Sequence, residues 1–156
     1  MGEPITILVG TMTGTAEFVA GDVSKVLEEA GHPVEILMMD ALDAAVFERP
    51  GVFLICTSTY GQGDVPDNAR AFFEAVQAAR PDLTGRRYGV IGLGDSTYGD
   101  TFNAGGRQFD ELLAGLGARA VGARLEHNAS GGTMAEDAGV EWARGWVSEL
   151  ERAEAA

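Results

Sequence analysis

Val52-Phe53-Leu54-Ile55-Cys56 is an unbroken apolar run with no polar position in it. A strand with one wet face alternates polar and apolar residues. A continuous run marks a strand covered on both faces, which requires helices above and below its sheet. The rest of the chain repeats this theme. Ile5-Thr6-Ile7-Leu8-Val9, Val34 to Met38, Tyr88 to Leu93 and a weaker run from Ala118 to Leu125 read as further strands. Helical stripes lie between them. Val19, Val23, Val26 and Ala30 share one face and are closed by Gly31. Ala69, Phe72, Phe73 and Val76 are opened by Pro66-Asp67-Asn68, and Phe109, Leu112, Leu113 and Leu116 are closed by Gly117. Asp40 to Phe47 reads as a short helical connection. Ala143, Trp146, Val147 and Leu150 mark a last helix, with Glu151 to Ala156 expected to fray.

Alternation of strand and helix over the whole length predicts a doubly wound α/β fold. The sheet is expected to be parallel and five-stranded, in the order 2-1-3-4-5. The 156 residues suit one domain, residues 1–156. In such sheets ligands bind beyond the carboxyl ends of the strands, where the strand order reverses. Three unusual loops leave strands 1, 3 and 4 at that end.

The first is Thr11-Met12-Thr13-Gly14-Thr15-Ala16-Glu17, between a strand and a helix N-terminus. Its hydroxyls, its glycine and the free N–H groups of the helix form a nest for a phosphate. It lacks the lysine of a P-loop, and the nearest basic residue after it is Lys25, more than two turns on. The second runs Thr57-Ser58-Thr59-Tyr60-Gly61-Gln62-Gly63-Asp64-Val65-Pro66-Asp67-Asn68. The third runs Gly92-Leu93-Gly94-Asp95-Ser96-Thr97-Tyr98-Gly99-Asp100-Thr101-Phe102-Asn103. Each sets a lone tyrosine among glycines and small polar residues, an arrangement suited to gripping a flat ring from two sides.

At these residues the chain resembles the flavodoxin family, over essentially its whole length. Thr11 to Glu17 is similar to the family's phosphate loop. Ser58-Thr59-Tyr60-Gly61 and Leu93-Gly94-Asp95 through Tyr98 are similar to its two flavin-ring loops. The wording is nearest to MioC-like single-domain proteins and to the FMN domains of diflavin reductases and the sulfite reductase flavoprotein. Ala16 and Tyr60 stand where many single-domain flavodoxins carry a hydroxyl and a tryptophan, and the fifth strand has no long insertion.

The resemblance implies FMN as cofactor. It is expected to be held by Thr11, Met12, Thr13, Gly14, Thr15, Ala16, Thr57, Ser58, Thr59, Tyr60, Gly61, Gly63, Leu93, Gly94, Asp95, Tyr98, Phe102 and Asn103. It places Tyr60 and Tyr98 on opposite faces of the ring. Gly61 then tolerates the positive φ needed to turn a carbonyl toward the ring nitrogen N5. The function implied is one-electron transfer: an electron carrier, rather than a self-sufficient enzyme, moving electrons from a reductase to an acceptor protein. The expected donor is an NAD(P)H-dependent flavodoxin or ferredoxin reductase, and the expected acceptor a basic redox enzyme. The alternative is an FMN-dependent NAD(P)H–quinone reductase, although such relatives carry oligomer-forming insertions that this chain lacks. Response-regulator receivers share the strand order but need acidic residues after strands 1 and 3, where this chain has Thr11 and Thr57-Ser58.

Charge narrows the partners. Acidic residues outnumber basic ones 24 to 11, for a net charge of −13. That balance argues against nucleic acid and anionic membranes, which need a positive face. Asp64, Asp67, Asp95 and Asp100 belong to the crevice end, whereas Arg80, Arg86 and Arg87 precede strand 4 at the other. With a strand beginning within a few residues of the N-terminus, no signal peptide is expected, and the expectation is a monomeric cytoplasmic protein. The single cysteine, Cys56, excludes an intramolecular disulfide and a thiolate metal cage, and reads as a small core residue. His32 and His127 are expected on the surface or in loops, with no metal role. Trp142 and Trp146 are expected to pack at the core or its edge.

Overall fold

The computed structural model describes residues 3–10, 15–58, 67–94, 104–128 and 134–155. Three strands form the centre of one parallel sheet: β1 (Ile5–Gly10), β3 (Val52–Ser58) and β4 (Arg87–Gly94). β2 (Val34–Met38) flanks β1 on one side. On the other, β5 (Arg119–Ala120) and β6 (Leu125–Asn128) both pair with β4. The order is β2-β1-β3-β4-β5, as the alternation predicts, with the strand-5 position shared between β5 and β6. Ile7 pairs with Ile36 and Leu54, and Ile55 with Val90.

The pleat divides the core into two layers. Ile5, Ile7, Val9, Val52, Leu54, Cys56, Ile91 and Leu93 pack with residues of α1 (Thr15–Glu29) and α4 (Ala135–Ala155). Leu8, Phe53, Ile55, Tyr88 and Val90 pack with residues of α2 (Asp67–Ala79) and α3 (Ala104–Gly115). Strands buried on both faces explain why the sequence shows continuous apolar runs there.

Both predicted stop signals work by the same geometry. At Gly31 (φ 99°) the His32 N–H donates to the Leu27 carbonyl and the Gly31 N–H to that of Glu28. At Gly117 (φ 103°) the Ala118 N–H donates to Leu113 and the Gly117 N–H to Ala114. This paired arrangement satisfies the last helical carbonyls and needs a left-handed residue, which glycine supplies without strain. Close approach is set by glycine too. A Cβ at Gly139 of α4 would lie 2.7 Å from Val19 Cγ1 of α1, so those helices pack almost backbone to side chain.

Four expectations are corrected. The fifth strand is not one run from Ala118 to Leu125. It is two short pieces separated by residues 121–124, because Gly122 takes φ 66° and breaks the pleat. The connection after β2 is two 3-10 turns, Met39–Ala41 and Ala44–Glu48, the second capped by the Asp43 carboxylate accepting from the Ala45 N–H. The acidic tail continues α4 as far as Ala155. His32 and His127 are buried, not surface residues. His32 is drawn in by a contact between its Nδ1 and the Glu3 carbonyl at 3.0 Å, and its Nε2 lies 3.9 Å from a Glu151 carboxylate oxygen. His127 sits in β6 opposite Leu93, whose side chain belongs to the α1–α4 layer.

Candidate cofactor site at the carboxyl end of the sheet

The three chemistry-bearing loops leave strands whose carboxyl ends are level. Gly10, the last residue of β1, is in register with Thr57, and Ser58, the last of β3, with Leu93. Asn128 closes β6 opposite Gly94. Four chain segments therefore depart side by side, with neighbouring strands about 4.8 Å apart. Only four positions, 11–14, separate the end of β1 at Gly10 from the start of α1 at Thr15.

Of the residues expected to hold a cofactor, six fall among the described ones. Thr15 is the exposed first residue of α1, and Ala16 behind it is fully buried. Thr57 is fully buried near the end of β3, Ser58 ends that strand, and Leu93 and Gly94 end β4. Leu93 is a core side chain, so a ligand can meet only its backbone. Thr11, Met12, Thr13, Gly14, Thr59, Tyr60, Gly61, Gly63, Asp95, Tyr98, Phe102 and Asn103 lie outside the described residues.

The departure of β1 has a steric requirement. A Cβ at Gly10 would stand 2.9 Å from both Ala69 Cβ and Thr57 Oγ1, so any larger residue would push β1 away from β3 and α2. Cys56 lies one residue earlier on β3. Its thiol donates to the Ala16 carbonyl at 3.4 Å, tying the first turn of α1 to the sheet. Burial pushes that thiol up to about 12, so it stays protonated and serves as packing rather than as a thiolate.

The donors among the described residues suit an anionic group such as a phosphate monoester. The first turn of α1, opened by Thr15, stands at the carboxyl edge of the sheet, with no lysine or arginine between residues 11 and 24. Such a pocket relies on hydrogen bonds and the helix dipole. Among the described residues no group of three or more His, Cys, Asp or Glu could hold a metal ion, and no helix is long and apolar enough to cross a membrane.

Sequence reasoning missed the side-chain network that secures β6 beside this site. The Tyr88 hydroxyl donates to the Asp110 carboxylate at 2.5 Å, and Arg124 Nη1 reaches the other Asp110 oxygen. Arg124 also donates through Nε to Glu126 at 2.9 Å. Burial, then the bond to Asp110, raises the Tyr88 phenol well above its ordinary value. A second missed feature is Gly89, where a Cβ would lie 2.5 Å from Trp146 Nε1: the glycine makes room for that indole against the sheet. Trp146 is buried and stacked on Trp142 at 5.6 Å, as core-edge packing.

Comparison with known proteins agrees with this geometry. The family model described as Flavodoxin matches residues 7–142. The chain is 38% identical to Protein MioC of Escherichia coli (strain K12) over 149 residues, covering 94% of this chain and 97% of that protein. It is 34% identical to the sulfite reductase [NADPH] flavoprotein alpha-component of Bacillus subtilis (strain 168), covering 81% of this chain but 21% of that larger protein. Among solved structures, a cysteine-to-alanine mutant of flavodoxin from Pseudomonas aeruginosa superposes with a TM-score of 0.86 at 37% identity, covering 96% of this chain and 99% of that one.

Proposed function

The chain belongs to the flavodoxin family, and from that premise we propose that it is an FMN-holding one-electron carrier, taking electrons from an NAD(P)H-dependent flavodoxin or ferredoxin reductase and passing them to a basic redox enzyme. The observation that carries this reading is the level termination of β1, β3 and β4 at one edge, below a helix N-terminus with no cation near it in sequence. FMN, when bound, supplies a ring that accepts and releases electrons one at a time.

The protein's part is to bind, orient and shield. Thr11, Thr13 and Thr15, with the N–H groups opening α1, take the phosphate. Tyr60 and Tyr98 cover the two ring faces, excluding water and disfavouring added negative charge beside their electron-rich rings. Gly61, which tolerates positive φ, would let its loop present a backbone carbonyl to the ring as a hydrogen-bond acceptor. Asp64, Asp67, Asp95 and Asp100 give the rim a negative field that attracts a basic partner. With a net charge of −13, self-association is disfavoured, and the working form is a monomeric single-domain protein of the cytoplasm.

Fluorescence titration of the apoprotein with FMN, riboflavin and FAD tests the phosphate assignment. FMN is expected to bind most tightly, and Thr13→Ala to weaken it by about 1–3 kcal/mol, the range for an acceptor left unpaired. Equal affinity for riboflavin and FMN would remove the phosphate from the 11–15 segment. Turnover of NADH with a quinone, without added reductase, would replace the carrier by an enzyme.

A further inference from the structure

Three large apolar side chains face water among the described residues: Phe18, Ile36 and Met134. Two of them share one end of the molecule. Phe18, 71% exposed, lies in the first turn of α1, and Met134, 62% exposed, immediately precedes α4. The two helices pack together in the same layer, and each begins beyond a strand's carboxyl end, β1 at Gly10 and β6 at Asn128. The contact between Gly139 and Val19 sets their relative height. Phe18 stands one residue before that contact and Met134 five residues before it. At about 1.5 Å per residue, both lie within roughly 8 Å of it along the helix axes, toward the cofactor end.

The charges around the pair select what can cover it. The first turns nearest the pair carry Glu17, Glu136, Asp137 and Glu141 without a lysine or arginine; Asp22 is paired with Lys25 at 3.9 Å, and Arg144 stands one turn further along α4. A second copy of this chain would bring the same acidic residues and a net charge of −13 against them, which opposes self-pairing. A partner with an apolar hollow rimmed by lysine and arginine would bury both side chains and satisfy the rim. Both side chains stand at the helix ends nearest the carboxyl edge of the sheet, so a partner seated there meets the molecule at that end.

We infer that Phe18 and Met134 are the apolar anchors of a docking patch for the basic reductase that loads this carrier with electrons, with the acidic first turns of α1 and α4 as its steering rim. The inference rests on the carrier reading above. It adds the surface that the donor grips, made of side chains next to, but not among, the residues assigned to hold FMN.

The test uses FMN-loaded wild type and the double variant Phe18→Gln/Met134→Gln. Reduction is driven by NADPH with a basic flavodoxin reductase, and separately by dithionite, which needs no docking. The double variant should lose about tenfold or more in kcat/KM for reductase-driven reduction through a raised KM, as loss of two interface anchors would give. Its FMN content and dithionite rate should stay within about twofold of wild type. Ile36→Gln, an exposed apolar residue of β2 outside α1 and α4, should change neither. Unchanged kcat/KM in the double variant would overturn the docking assignment while leaving the carrier reading intact. A wild type that holds FMN but is not reduced by the reductase would overturn both. A wild-type dimer that the double variant dissolves would make a second copy the occupant and overturn the assignment to a reductase.

Discussion

The centre and the edge of this sheet are held by different physics. At the centre, β1, β3 and β4 run an unbroken parallel ladder, and side chains such as Ile7, Leu54, Ile55 and Ile91 have no exposure at all. At the edge the ladder breaks between β5 and β6, and other groups take over. The Val121 N–H reaches the Tyr88 carbonyl at 2.8 Å, and the Trp142 indole donates to the Ala123 carbonyl at 3.0 Å. Arg124 is held by Asp110 from α3 and by Glu126 from β6. An interruption in a strand leaves backbone groups that something must satisfy. Here the Trp142 indole of α4 takes one of them, the Tyr88 carbonyl takes another, and Asp110 of α3 anchors the segment through the Arg124 side chain. The centre resists change through burial, the edge through a few polar ties.

Paired truncations should expose that difference most strongly. Leu54→Ala removes a fully buried side chain between two strands with no room to collapse, and should cost about 2–5 kcal/mol. Val121→Ala, at the 5% exposed edge, should cost about 1–2 kcal/mol, since fewer carbons are lost where the chain can relax. Urea denaturation of both variants measures it. Equal losses would mean that edge and centre unfold as one equally packed unit.

The same contrast explains what the sequence disclosed. Continuous apolar runs at Val52 and Ile5, and glycines after Ala30 and Leu116, act through local rules of pleat and helix ending. Those elements and their order were legible. The broken fifth strand was not, because an apolar scan sees Val121 and Leu125 as one run. The break is fixed by the left-handed Gly122 and by partners fourteen or more residues away in Asp110 and Trp142. His32 and His127 were misplaced for a related reason: a histidine's burial depends on which carbonyl or strand lies opposite, and neighbouring residues do not encode that. The candidate site was legible as three loops of unusual composition, and the level strand ends bring their departure points together. Thr57 entered the site set as a loop residue, yet it is a buried residue of β3, while Leu93 ends the fourth strand as read and is buried there.

Alkaline titration should separate centre from edge by its onset. Cys56 is held protonated by burial, from an ordinary 9.0 up to about 12, and Tyr88 is raised from 10.0 by burial and then by Asp110. In both cases the folded state keeps its proton to higher pH than the unfolded chain. Stability is therefore full below the unfolded value and falls as pH rises through the interval up to the folded one. The thiol should begin to cost stability near pH 9, reaching about 2–3 kcal/mol by pH 11 at about 1.4 kcal/mol per unit. The phenol should add its share only above about pH 10. Cys56→Ala should flatten the first part of the decline and Tyr88→Phe the second, read from urea midpoints between pH 8 and 11. A decline that starts at the same pH in all three proteins would mean that neither group controls it.

The smallest effect bears on which side of the contrast Glu126 belongs to. It sits in β6 opposite Gly92, two residues before the strand ends beside Gly94, close enough in the fold to invite a role at the cofactor. Its carboxylate, however, is taken up by Arg124, at 2.7 Å from Nη2 and 2.9 Å from Nε, and Arg124 in turn is held by Asp110. A carboxylate engaged this way is an edge tie. Glu126→Gln keeps the shape and one acceptor but loses the charge, so it should cost about 0.5–1 kcal/mol, a value that shrinks as salt rises. FMN affinity and the reduction potential should stay at wild-type values, because the negative charge removed was already neutralised by its arginine. Stability at two ionic strengths, with an FMN titration of the same variant, measures both. A shifted potential with unchanged stability would move Glu126 from the edge to the cofactor, and the polar ties of the fifth strand would then number one fewer.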